Sequence, residues 1–148
     1  MAKIDLDKTL AAQIDEVFEL LSDHAGYTRF SGFSKAELLR EGTDEPNGLG
    51  AMRRLSARGL TFDEEITAFE RPTRMDYLIH KATVPMRHNG GSIRLEPAGE
   101  GTRVRWTSEF TMPIPLAGGV LAGAFAFGLE RGFVQLLDEI EKHATGRA

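Results

Sequence analysis

The chain contains no cysteine, which excludes disulfides and thiolate metal sites. Its four histidines, His24, His80, His88 and His143, are scattered, with none of the H-x-x-x-H or H-E-x-x-H spacing of a zinc enzyme. No metal and no cofactor are therefore expected. Cationic excess is lacking too. Net charge is −4, whereas a nucleic-acid partner demands enough positive charge to neutralise phosphates. Gly48-x-Gly50 and Gly99-x-Gly101 are turn glycines without a following helix, so neither a phosphate loop nor a dinucleotide fingerprint is present, and no serine-nucleophile motif occurs. Met1–Asp7 has no apolar h-region and carries Asp5 and Asp7 early, which reads as no signal peptide and a cytoplasmic protein. Long apolar runs are also wanting. Leu116–Leu129 has fourteen residues without a charge, short of the roughly 20 that cross a bilayer, so no transmembrane segment is expected. Transient contact with a membrane surface stays open, as does the choice between monomer and homodimer.

What is present is 148 residues, enough to bury a core as one domain over 1–148. Lys3–Lys8 alternates Ile4 and Leu6 against Asp5 and Asp7, as a half-buried strand does. Ala11, Ile14, Val17, Phe18 and Leu21 recur at helical spacing, and Ser22-Asp23-His24 then offers a cap for a second short helix carrying Tyr27 and Phe30 and ending near Gly32. Strand patterns follow over Phe33–Arg40, Leu49–Ala57, Leu60–Phe69, Arg74–Thr83, Gly91–Glu96 and Thr102–Thr111. Pro85–Gly90 reads as a loop, and Pro97–Gly101 joins the last two strands. In that final pair Ile93, Leu95, Val104, Trp106 and Phe110 share one face, and charged or polar residues share the other. The order is one strand, two short helices, six strands and one long helix, an α+β pattern in which only the carboxy-terminal helix is long enough to cover the dry face of the sheet.

That helix is unusually rich in glycine. Gly118, Gly119, Gly123, Gly128 and Gly132 lie within or beside it, though each helical glycine costs roughly 0.5–1 kcal/mol relative to alanine. Gly118 and Gly119 read as a lead-in, with the helix proper from Val120, whereas Gly123, Gly128 and Gly132 should face a pocket or the sheet.

The arrangement resembles the helix-grip fold of the START/Bet v 1-like superfamily, also called SRPBCC, in its polyketide cyclase/dehydrase-like branch. Ile14-Asp15-Glu16-Val17-Phe18-Glu19-Leu20-Leu21-Ser22-Asp23 and Leu95-Glu96-Pro97-Ala98-Gly99-Glu100-Gly101-Thr102-Arg103-Val104-Arg105-Trp106 carry the resemblance, which extends over nearly the whole chain. Ala12 departs from the pattern, since proline often precedes the first helix there. The resemblance implies a curved, seven-stranded antiparallel sheet wrapped around the long helix, with a deep apolar cavity between them. It carries no universal catalytic signature.

Within such a cavity a carboxylate would be a general base or a polar anchor. Glu64 is the candidate by parity, because Phe62, Glu64 and Ile66 share one strand face, provided no bulge slips the register. Arg53 and Arg54 are adjacent, so one points inward, to pair Glu64, to clamp a ligand, or to hold structure. Tyr77 lies between Met75 and Ile79 on a dry face, with its hydroxyl either in the cavity or satisfied in the core. His80 falls on the opposite parity, toward the surface. Trp106 reads as core or cavity wall, and His88 as a loop residue at the cavity mouth. Tyr27, Phe30 and Phe33 gate the mouth or simply pack. The remaining ligand contacts expected are Phe62, Ile66, Ile79, Ile93 and Phe110 from the sheet and Val120, Phe125 and Phe127 from the helix, where Leu129 and Phe133 are mostly core.

Three functions compete. The leading one is a carrier or sensor of a small hydrophobic molecule such as a lipid, an isoprenoid or a polyketide-like aromatic. The alternative is a polyketide cyclase, aromatase or dehydratase, with Glu64 as base and Arg53 or Tyr77 stabilising an enolate oxygen. The third is an interaction protein that uses its helix and aromatic mouth. An enzyme should gather at least two titratable groups in the cavity, and a carrier should be almost dry.

Overall fold

The computed structural model describes residues 1–146. Strand β1 (Ala2–Leu10) is followed by helix α1 (Ile14–Ser22) and a short 3-10 helix over His24–Arg29. Six strands follow: β2 (Phe33–Arg40), β3 (Met52–Ala57), β4 (Leu60–Glu70), β5 (Arg74–Ala82), β6 (Arg87–Ala98) and β7 (Gly101–Thr111). Helix α2 (Gly118–Thr145) closes the chain. All seven strands form one antiparallel sheet in the order β1-β7-β6-β5-β4-β3-β2. The two short helices carry the chain from one sheet edge to the other, and the meander then returns to pair β7 with β1. This is the α+β helix-grip architecture.

Two irregularities bend the sheet where the functional residues lie. Against β5, the partner of β4 steps from Lys81 to Ile79 between Asp63 and Glu64, which leaves His80 as the extra residue. A second shift leaves Thr67 unpaired between Ile66 and Ala68. The first extra residue lies on β5 and the second follows Ile66, so β4 keeps its alternation over Phe62–Ile66 and Phe62, Glu64 and Ile66 all point inward. Pairing of β5 with β6 ends at Tyr77 and Gly91, and beyond that point the two strands splay apart. On β6, Asn89 is an extra residue beside Gly90, whose φ of 120° is glycine territory. The segment expected as a loop is thus a strand with a bulge, and His88 stands on it.

Helix α2 is anchored at its two ends. Ala122 and Ala126 pack closely with Ala2, Ile4 and Phe110, while Leu136, Leu137 and Ile140 join the main core with Val17, Phe18, Leu21, Met75, Ile93 and Trp106. Its first residue is Gly118, not Val120. A Cβ at Gly118 would run into the carbonyl oxygen of Met112, so glycine lets the helix begin against the end of β7. At 28 residues α2 is long and apolar enough, by length and composition, to cross a membrane, more than the fourteen-residue run implied. In the fold it spans the sheet, with Val120, Leu121 and Phe127 exposed on its outer side and Leu116 exposed just before it.

Candidate functional site

Between the two anchor points the middle of α2 stands off the sheet. The gap is a cavity of about 310 Å³. Phe125, Gly128, Leu129, Gly132, Phe133 and Leu136 line it from the helix, at the i, i+3, i+4, i+7, i+8, i+11 spacing of one helical face. Added Cβ atoms at Gly128 and Gly132 would meet nothing within 4 Å, so no clash demands glycine there; the missing side chains are cavity volume. From the sheet come Leu55, Phe62, Ile79 and Trp106, and the indole of Trp106 stacks on Phe133 at 3.9 Å and 7° to seal one wall. Tyr27, Phe33, Arg58 and Met86 also line the cavity.

Polar groups gather at the sheet side of this apolar space. Arg53 on β3 and Glu64 on β4 are directly opposite in register, both nearly inaccessible to solvent. Arg53 donates from Nε to Glu64 Oε1 at 2.8 Å, and its Nη2 lies 2.7 Å from the same oxygen. Glu64 Oε2 receives no hydrogen bond from the described residues. The other guanidinium nitrogen, Nη1, donates to His24 Nδ1 at 2.9 Å and to Tyr27 Oη at 3.4 Å. Tyr27 in turn donates to the carbonyl of Leu21. Burial works against the charge of Arg53, but the Glu64 carboxylate beside it raises its pKa above the ordinary arginine value. Arg54 points outward and makes a two-bond fork with Asp63.

His24 fixes this cluster from behind. Because Nδ1 accepts from Arg53, the ring proton sits on Nε2, which donates to the carbonyl of Asn47 at 3.1 Å. Burial, then the charge of Arg53, pushes its pKa down to about 2. The unfolded chain, with a histidine pKa near 6.5, binds a proton that the folded chain refuses. Stability is therefore complete above pH 6.5 and falls as the pH drops toward 2, at about 1.4 kcal/mol per pH unit from this one residue. Urea unfolding at pH 7 and pH 5 should show a loss of about 2 kcal/mol, and ¹⁵N spectra should show the neutral Nε2–H form of His24 still present at pH 5. A cationic ring at pH 5 in the folded protein would contradict the arrangement.

Tyr77, on β5, carries the second polar group. Its ring lies across Gly91 of β6, where a Cβ would collide with the ring carbon that bears the hydroxyl. The Trp106 indole N–H donates to Tyr77 Oη at 2.9 Å, the Arg53 guanidinium sits 5.6 Å from the ring centre, and His88 stacks at 5.5 Å and 16°. Burial, then Glu64, raises the phenol pKa, so the hydroxyl keeps its proton.

A family model described as "Polyketide cyclase / dehydrase and lipid transport" matches residues 1–145. The chain belongs to this family. Solved structures agree in fold. A protein of Thermus thermophilus superposes with a TM-score of 0.78 at 20% identity, covering 99% of both chains. The Zhui aromatase/cyclase of a Streptomyces species gives 0.77 at 22% identity, covering 99% of this chain and 94% of its own. A START superfamily protein of Mycobacterium smegmatis gives 0.72 at 13%, covering 99% of both. Comparison with curated protein sequences finds no match.

For this polyketide cyclase/dehydrase-family chain, the cavity brings together Glu64, Arg53, Tyr77, Tyr27, Phe62, Ile79, Trp106 and Phe125. Other residues expected to touch a ligand lie elsewhere. Ile66, Ile93 and Phe30 are wholly buried in the main core, behind the cavity wall, and Phe110 is buried under Ala122 and Phe125. Val120 is 78% and Phe127 62% exposed, because they occupy the helix face opposite the sheet. Gly123 is exposed there too and faces neither pocket nor sheet. His88 is not at the mouth; it bridges the splayed strands behind Tyr77. Reading by pattern missed His24, Ser108, Met86 and Leu55. Parity on β3 and β7 would have found Leu55 and Ser108, two positions from Arg53 and Trp106, but nothing local marks His24.

Proposed function

We propose that this chain binds a small, largely apolar molecule in the cavity between the sheet and α2, with the polar end of that molecule at Arg53, Glu64 and Tyr77. The supporting observation is a contrast within one space. A helix face thinned to Gly128 and Gly132 provides room lined by apolar groups, and one buried charged pair lies at its sheet side. The family description and the aromatase/cyclase among the similar structures favour a lipid, isoprenoid or polyketide-like aromatic.

Cyclase- or dehydratase-like catalysis is the second reading, favoured by the unbonded Glu64 Oε2 in the same cavity as Tyr77. Binding ranks first because Arg53 is already committed to Glu64, His24 and Tyr27. Glu64 is correspondingly held as a counter-ion. Native mass spectrometry of gently purified protein tests both. One apolar molecule should be retained per cavity, or taken up by stripped protein from an added mixture of fatty acids, isoprenoids and polycyclic aromatics. Release of the compound unchanged fits a carrier, and release of a dehydrated or cyclised product fits the enzyme. A cavity that retains and takes up nothing apolar would reject both.

A further inference from the structure

The hydrogen bonds behind Tyr77 run in one direction. Where β5 and β6 splay, the Ile79 N–H has lost its strand partner, and it donates at 2.9 Å to His88 Nδ1 instead. That bond places the His88 proton on Nε2, which lies 2.8 Å from Ser108 Oγ and donates to it. Ser108 is buried, and its hydroxyl eases ionisation of the neighbouring Tyr77 phenol against the larger opposing effects of burial and Glu64. Trp106 donates to the phenol oxygen at 2.9 Å. Trp106 therefore occupies one lone pair of Tyr77 Oη, and no described residue accepts the phenol proton, which remains for a partner in the cavity that Tyr77 lines. No hydrogen bond joins it to Glu64. Gly91 clears the space that lets the ring lie in this position.

From this directionality we infer that Tyr77 is a fixed hydrogen-bond donor to the bound molecule, which therefore carries an acceptor oxygen, a ketone-type carbonyl or its enolate, at the end that meets Tyr77. The inference rests on the binding reading and narrows it to oxygenated molecules over plain hydrocarbons. Ser108, His88 and Trp106 are positioning residues; they act through the Tyr77 oxygen. A hydroxyl whose oxygen already accepts a bond is polarised toward donation. A hydrocarbon in the same place would leave that donor buried and unpaired, which discriminates against it.

The test uses the full chain and two probes of the same shape, 2-acetylnaphthalene and 2-isopropenylnaphthalene, which differ in a carbonyl oxygen against a methylene. The native protein should bind the ketone about tenfold more tightly, one hydrogen bond's worth. Tyr77→Phe should bring the ratio close to one while changing hydrocarbon affinity by less than about twofold. Ser108→Ala should lower the ratio without abolishing it, since Trp106 still donates. The carbonyl stretch of bound ketone should move to lower frequency in the native protein and return toward its apolar-solvent value in Tyr77→Phe, a change that altered packing would not produce. Equal affinities in the native protein, or a ratio that persists in Tyr77→Phe, would overturn the donor assignment and leave the binding reading standing. Failure of both probes to bind the native protein would overturn the binding reading and the assignment with it.

Discussion

Replacing Arg53 with methionine should destabilise the protein by about 3–5 kcal/mol, the effect of breaking a buried ion pair from one side. Three acceptors lose their donor at once. Glu64 Oε1 is left as an uncompensated buried carboxylate, and His24 Nδ1 and Tyr27 Oη each lose a bond from Nη1. An unpaired carboxylate in this environment is far costlier than the lost attraction alone suggests. The double variant Arg53→Met with Glu64→Leu removes both charges together and should recover most of the loss, since apolar groups of similar volume replace buried pairs at little cost. Urea unfolding of the native protein, both single variants and the double variant gives the coupling directly. A loss below about 1 kcal/mol in Arg53→Met would mean that water reaches Glu64 and that the cluster is not sealed from solvent. The recovered double variant is also a tool, because its cavity lacks the buried charged pair while the fold is kept. Any ligand that needs the charged end should bind it poorly.

This cluster was partly legible in the sequence, for a specific reason. Alternation along β4 identifies Glu64 as inward because the extra residue opposite it, His80, lies on β5, and the one on β4, Thr67, comes after Ile66. Arg53 was one of two adjacent arginines, and the register of β3 against β4 chose between them. His24 was not legible. It reaches Arg53 across 29 residues from a 3-10 helix, and its sequence neighbours resemble an ordinary helix cap. A contact made only when the two sheet edges are bridged leaves no periodic trace.

Loops and helix ends failed in a related way. Asn89-Gly90 is turn chemistry, and the molecule uses it for a bulge inside β6, so His88 moved from an expected loop to the strand that supports Tyr77. Gly118 looked like a helix lead-in, yet it is the first helical residue, selected by the closeness of Met112. The assignment of helix faces depended on which side of α2 meets the sheet. Apolar residues occur on both sides of its amino-terminal half, so composition could not separate the lining Phe125 from the exposed Val120 and Phe127. Composition did isolate the glycines, and their positions make the sharpest contrast in the molecule.

Gly128→Leu and Gly132→Leu should each reduce ligand affinity by more than about 100-fold, equivalent to about 2.7 kcal/mol, while leaving the fold as stable as before or more so. The two effects have opposite signs because they arise in different places. In the helix, leucine replaces a residue whose backbone freedom costs roughly 0.5–1 kcal/mol, so α2 itself gains. In the cavity, the new side chain fills space a ligand would otherwise occupy, and its Cβ at either position meets nothing within 4 Å. Thermal unfolding without ligand should therefore shift upward by about 2–4 °C at most. Gly123→Leu is the control. It lies on the same helix, is exposed, and also has nothing within 4 Å, but it faces away from the cavity. It should match the other two in stability and leave binding of the probe ketone unchanged. Equal binding by all three variants would place the ligand outside the cavity. Equal loss in all three would show that binding depends on the flexibility of α2, not on the room beneath it.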